Sequence, residues 1–165
     1  LQTASLIISG QSGNPTTVTV NVESWDGTNW TEIANVNTAR RFGAGAGTQT
    51  SALFSGGGAS ANVESWNGTS WTEIAELNTA RGETAGAGSS NTNALVFGGQ
   101  PAIAITESWN GSSWTEVADM ATGKNNKGGT GSNTAALAFG GQPGVTAATE
   151  EWTVPASATV TFDVS

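Results

Sequence analysis

One motif recurs at nearly constant spacing along this chain, and it constrains the fold more than any other feature. Glu23-Ser24-Trp25-Asp26-Gly27-Thr28-Asn29-Trp30-Thr31-Glu32-Ile33-Ala34 returns as Glu64-Ser65-Trp66-Asn67-Gly68-Thr69-Ser70-Trp71-Thr72-Glu73-Ile74-Ala75. It returns again as Glu107-Ser108-Trp109-Asn110-Gly111-Ser112-Ser113-Trp114-Thr115-Glu116-Val117-Ala118, and a decayed fourth copy is Glu150-Glu151-Trp152-Thr153. The first Trp advances by 41, 43 and 43 residues and the second by 41 and 43, so all seven Trp belong to the motif. A fixed period of this length marks a repeat architecture, and elements are read within the repeat.

Each unit reads as four short strands. An apolar run ending in Gly recurs: Leu6-Ile7-Ile8-Ser9-Gly10, Leu53-Phe54-Ser55-Gly56, Leu95-Val96-Phe97-Gly98 and Leu137-Ala138-Phe139-Gly140. A second strand leads into the first Trp and a third starts at the second Trp. Between them, Asp26-Gly27, Asn67-Gly68 and Asn110-Gly111 predict two-residue type I′ hairpins, whose central residues both need φ > 0. A Gly/Ala-rich stretch such as Ala85-Gly86-Ala87-Gly88 supplies the remaining strand, where small side chains let backbones approach closely. The first unit has no such stretch of its own. Residues 159–164 alternate and predict a last strand. No segment carries a capped 3.6-residue period, so helix is not expected.

Four-stranded units of about 40–50 residues with Gly and aromatic markers are the sequence signature of a β-propeller. The residues that carry a more specific likeness are Gly98-Gly99 and Gly140-Gly141 after the apolar strand, the aromatic about ten residues on, Trp-Thr-Glu, and Leu77-Asn78-Thr79-Ala80-Arg81 with its near copy Val36 to Arg40. On these the chain resembles the kelch-repeat family over roughly residues 5–155. The resemblance implies an all-β, kelch-type propeller of about four units: 5–40, 41–82, 83–125 and 126–165. Trp25, Trp66, Trp109 and Trp152 stand where kelch units more often carry Tyr, and Lys124 replaces the Arg of the third unit. Kelch-like rings usually have six or seven blades. A part-ring completed by neighbouring chains or further residues is therefore favoured over closure of four units, because an open array exposes strand edges.

Composition removes most chemistry. The chain has no Cys, His or Tyr, which excludes thiolate–imidazole pairs, Ser-His-Asp triads, the usual zinc ligand sets and the common haem ligands. Disulfides are impossible, so cysteine usage says nothing of redox compartment. The copper oxidases built on kelch repeats depend on those missing residue types. With 13 acidic and 5 basic residues, net charge −8, a nucleic-acid partner is not expected. No apolar run approaches a membrane span. Leu1-Gln2-Thr3-Ala4-Ser5 carries neither an initiator Met nor a signal pattern, so the start reads as a processing point or simply as where the chain begins. No catalytic residue, metal site or cofactor is expected.

The acid pairs Glu23/Glu32, Glu64/Glu73 and Glu107/Glu116 have a spacing that could face two carboxylates across a hairpin. A catalytic pair is needed once, whereas this one recurs three times, so they read as solubilising charge on outer strands. Ser24-Trp25-Asp26-Gly27 only superficially resembles a sialidase Asp-box, and three Arg cannot supply that site. The Trp pairs Trp25/Trp30, Trp66/Trp71 and Trp109/Trp114 read as inter-blade packing rather than sugar platforms. Asn29-Trp30-Thr31, Asn67-Gly68-Thr69 and Asn110-Gly111-Ser112 match the glycosylation acceptor pattern, but turn chemistry explains them.

All five basic residues, Arg40, Arg41, Arg81, Lys124 and Lys127, fall between the second-Trp strand and the Gly/Ala-rich strand, at the end shared with Gln100-Pro101 and Gln142-Pro143. Arg40, Arg81 and Lys124 occupy repeat positions and are expected to pair with a neighbouring Glu. Arg41, Asn125, Asn126 and Lys127 lie off the pattern and form the candidate ligand face. Repeats this rich in Gly, Ala, Ser, Thr and Asn look similar to kelch-like structural proteins of tailed bacteriophages. That resemblance implies a non-catalytic tail, fibre or other virion-surface module for assembly or host attachment. Its partners would be other virion or scaffold proteins or a host-surface glycan, in a multi-copy or homo-oligomeric setting on a virion or outside cells. The alternatives are a cellular or secreted scaffold and a sugar-binding propeller.

Overall fold

The computed structural model describes residues 3–13, 16–144 and 147–154. Among them there is no helix, and the strands form four antiparallel sheets in chain order. The first holds β1 (Ser5–Ser12), β2 (Thr17–Trp25) and β3 (Trp30–Ile33). The second holds β4 (Ala44–Thr48), β5 (Ser51–Ser55), β6 (Val63–Trp66) and β7 (Trp71–Ile74). The third holds β8 (Ala85–Ser90), β9 (Asn93–Phe97), β10 (Thr106–Trp109) and β11 (Trp114–Val117). The fourth holds β12 (Gly128–Gly131), β13 (Ala135–Phe139) and β14 (Thr149–Thr153). Each sheet is a blade-like meander of sequence neighbours. The Gly/Ala-rich stretches are β4, β8 and β12, and the first sheet has no counterpart among the described residues. The strand expected at residues 159–164 lies outside them.

The hairpins inside the motif differ from expectation. Trp25 pairs with Trp30, Trp66 with Trp71 and Trp109 with Trp114, which leaves four-residue loops in place of two-residue turns. Only the glycines, Gly27, Gly68 and Gly111, take positive φ there, at 98°, 93° and 94°. The preceding residue acts through its side chain. Asn67 Oδ1 accepts the Thr69 and Ser70 N–H groups, both at 2.9 Å. Asp26 and Asn110 cap their loops in the same way. An Asx side chain that satisfies the amides two and three residues on has no need of a left-handed backbone. The amides of Asn29 and Thr28 also hold the Asp26 carboxyl below its ordinary range.

The core lies between sheets. Strand alternation gives each sheet two faces, and paired residues share one. Leu6, Ile8, Val22 and Ile33 of the first sheet pack on Ala52, Phe54, Trp66 and Trp71 of the second. Leu53, Val63, Ile74 and Leu77 pack on Ala94, Val96, Trp109 and Trp114 of the third. Ala85, Ala87, Leu95 and Phe97, with Val117 and Met120, meet Ala136, Ala138 and Trp152 of the fourth. Full burial of one such Leu or Val is worth about 1.5–3 kcal/mol, so these three seams supply the cohesion that a lone meander lacks. Within a pair, the Trp66 and Trp71 rings lie 5.3 Å apart at 34°. Trp66, Trp109 and Trp152 each donate Nε1–H to the carbonyl at Gln49, Asn91 and Asn133 in their own sheet's first hairpin. Trp71 and Trp114 donate instead to Ala34 and Ala75 of the preceding unit.

Strands β4, β8 and β12 lie side by side. A Cβ on Gly86 would stand 2.9 Å from the Gly45 carbonyl, and one on Gly129 would stand 2.9 Å from the Gly86 carbonyl. Neither distance is tolerable for a real Cβ, which is why these strands are built from Gly and Ala.

Candidate functional site

The connection that leaves each outer strand crosses the seam to the next sheet, and it carries the chain's basic residues. It first runs along its own sheet, through Val36 N–H to Val20 O, Leu77 N–H to Ala61 O and Met120 N–H to Ala104 O. It then turns and reaches forward. The Asn37 amide and side-chain Nδ2 donate to Glu64 Oε2 at 2.6 and 2.9 Å, and the Thr38 amide donates to Oε1 at 3.2 Å. The Arg40 guanidinium closes the same carboxylate at 3.0 Å and donates further to the carbonyls of Gly56 and Asn62. One unit on, Asn78, Thr79 and Arg81 treat Glu107 identically, with Arg81 at 2.6 Å.

This arrangement corrects the reading of the repeat acids. Glu64 and Glu107 are 1% and 0% exposed, whereas their hairpin partners Glu73 and Glu116 face solvent. In these two pairs the first Glu is thus a seam latch and only the second is surface charge, whereas Glu23 and Glu32 of the first pair are both exposed. Burial lowers the Arg40 pKa, with the Glu64 carboxylate opposing that shift. Lys124 does not pair with a Glu. Its ammonium donates to the Pro143 carbonyl at 2.9 Å, while Glu150 keeps only the amides of Ala121 and Thr122 at 2.6 and 3.2 Å.

The Gly-ended loops gather at the same end as these connections, through bridges from Gly82 to Gln100 and from Asn125 to Gln142. Gly98 and Gly99 have φ of 61° and 134°, and Gly140 and Gly141 have 71° and 97°. A Cβ on Gly98 would stand 2.4 Å from the Lys124 carbonyl. Phe42, Glu83 and Asn126 hold equivalent positions ahead of β4, β8 and β12, all with left-handed backbone at φ of 63°, 55° and 48°. They are joined in series, Glu83 N–H to Phe42 O at 2.7 Å and Asn126 N–H to Glu83 O at 3.0 Å.

The candidate ligand face is therefore divided. Arg41 donates to Gln11 Oε1 and lies 5.1 Å over the Phe42 ring, which is 46% exposed. These two side chains form a ridge between two grooves of roughly 500 and 410 Å³; the second continues to Glu83, Gln100 and Pro101. Asn126 is exposed two units away. Asn125 turns inward to Glu83 Oε2 at 2.7 Å, and Lys127 turns inward to the Lys124 carbonyl. Burial, reinforced by Arg81, pushes the Lys127 pKa down to about 8. With Glu83 at its centre, between Arg41 and Lys127, the face is mixed in charge although all five basic residues of the chain belong to this end. Phe42 has no signal in the repeat pattern, because the equivalent positions hold Glu and Asn.

Among the described residues no group of three or more His, Cys, Asp or Glu is placed to hold a metal ion. Compared with known proteins, the chain matches no family model, and no curated protein is significantly similar to it.

Proposed function

We propose that this chain is a non-catalytic, kelch-type repeat module forming a propeller or part of one, which serves assembly and surface recognition. The observation that carries this reading is where the ionisable groups go. Arg40, Arg81, Glu64 and Glu107 are spent inside the seams, and the accessible chemistry of the loop end is the Arg41–Phe42 ridge with its two flanking grooves. An exposed aromatic under a guanidinium suits contact with another surface, since such pairs recur as anchors at interfaces. The repeat's resemblance to structural proteins of tailed bacteriophages makes a tail or fibre component the preferred setting, where many copies multiply weak contacts through avidity.

Two measurements decide it. The gene is expected to lie among virion structural genes, and immunogold labelling of particles is expected to decorate a tail or fibre. A cellular genomic setting with no label on particles would turn the reading toward a scaffold. In a binding assay on the natural target surface, Arg41→Glu with Phe42→Ser is expected to reduce attachment at least tenfold without changing thermal stability by more than a degree or two. Attachment unchanged in that variant removes the ridge as the contact site.

A further inference from the structure

The outward face of the first sheet repeats the chemistry of the seams but, among the described residues, has nothing packed against it. Ile7, Glu23 and Trp30 lie on one face, because Ile7 pairs with Glu23, Glu23 with Glu32 and Trp25 with Trp30. Their counterparts inside the seams are Phe54, Glu64 and Trp71, and Val96, Glu107 and Trp114. Phe54 and Val96 are 3% and 1% exposed, against 52% for Ile7; Trp71 and Trp114 are both 6%, against 44% for Trp30. Glu23 is exposed, and among the described residues no amide or guanidinium reaches it. Nor does Trp30 Nε1 meet an acceptor among them, although Trp71 and Trp114 both find one on the preceding unit. Beside this face, β1 has no strand among the described residues on the edge where β5 and β9 pair with β4 and β8, and a groove of roughly 460 Å³ lies there between Leu6, Ile8, Gly45 and Ala46.

We infer that this face is a docking site for one kind of polypeptide: a repeat segment with an Asn-Thr-X-Arg turn followed by a Gly/Ala-rich strand, the chemistry of residues 34–48. Its turn amides and guanidinium close on the Glu23 carboxylate. The carbonyl ahead of the turn receives the Trp30 Nε1–H, and its strand fills the groove and pairs with β1. The charges are complementary, an exposed carboxylate awaiting an arginine. Both segments of this type in the chain, Asn37–Arg40 and Asn78–Arg81, are already engaged on Glu64 and Glu107. A second copy cannot offer its last sheet in their place, since residues 155–165 contain no Arg or Lys. The occupant is therefore a further repeat unit of the same kind.

The test places a copy of residues 34–47 directly ahead of Leu1. Gln2-Thr3 would then follow it as Gln49-Thr50 follows Thr48. A rise in Tm of about 5 °C is expected, together with at least a threefold fall in acrylamide quenching of Trp30, read as the difference from Trp30→Phe. Glu23→Gln is expected to abolish both changes in the extended protein and to leave the unextended chain unaffected. Replacing the added Arg by Ala should act likewise, and a scrambled extension should produce neither change. An extension that shifts neither Tm nor quenching, or shifts both despite Glu23→Gln, overturns the proposal. Trp30 protection that grows with concentration of the unextended chain also overturns it, because a second copy would then be the occupant.

Discussion

The second seam and the third are built on the same backbone plan and differ in their side chains, so each isolates half of the latch. At the second, Asn78, Thr79 and Arg81 close every side of a Glu107 carboxylate that is fully withdrawn from water. At the third, Ala121 and Lys124 replace the Asn and the Arg. The two amide bonds to Glu150 survive at 2.6 and 3.2 Å, almost the values at Glu107. Amides do not depend on the side chain, so the turn keeps its shape. What is lost is the guanidinium, whose planar fork reaches a carboxylate and carbonyls at once as a lysine ammonium cannot. A cavity of roughly 160 Å³ remains, bordered by Lys124, Lys127 and Glu150. The backbone specifies where the seam runs, and the arginine seals it.

That contrast breaks most visibly at Arg81. Replacing it with Ala strands a buried carboxylate, and a loss of about 3–5 kcal/mol is expected in urea unfolding. Lys124→Ala should cost under about 1 kcal/mol. Equal losses at the two positions would show that the seams do not differ in kind. Rebuilding the third latch with Ala121→Asn and Lys124→Arg should stabilise the protein by about 1–2 kcal/mol, seen as a higher urea midpoint at unchanged m. A crystal structure of the variant should show the new guanidinium on Glu150.

A further effect concerns pH. The Lys127 pKa of about 8 in the folded protein lies below its unfolded value of about 10.4. Between these values the unfolded chain holds a proton that the folded chain lacks, so this group's contribution to stability rises with pH across that window. Below it, both states are protonated and the contribution is flat. Stability curves of the protein and of Lys127→Met are expected to run parallel below pH 8 and to converge or cross as pH approaches 10.

Much of the fold is legible from the Trp spacing, because a repeat long enough for four strands leaves few arrangements for its apolar runs. That the first sheet has no Gly/Ala-rich inner strand among the described residues is legible too, since no such stretch of its own belongs to the first unit. The hairpins are misread because Asn-Gly signals a type I′ turn only when the flanking pair encloses two residues. Here the paired Trp enclose four. Glu64 and Glu107 are misread for a deeper reason: their burial depends on a turn some 26 residues earlier in another unit. One signal did exist. Asn-Thr-Ala-Arg stands ahead of Glu64 and Glu107, and Ala-Thr-Gly-Lys stands ahead of Glu150. The left-handed positions at Phe42, Glu83 and Asn126 have no residue type in common and are invisible until the chain is folded.

The latches also set how the molecule assembles in time. Each joins a carboxylate to a turn made only one unit earlier, Arg40 to Glu64 and Arg81 to Glu107. Every seam is thus a nearest-neighbour contact, and the array behaves as a one-dimensional chain of coupled units. During synthesis a unit can dock as soon as its own Glu-Ser-Trp strand has emerged, with no need to wait for the far end. On heating, the same logic runs in reverse. The fourth sheet, held by the unsealed seam, is expected to peel away before the doubly latched second sheet.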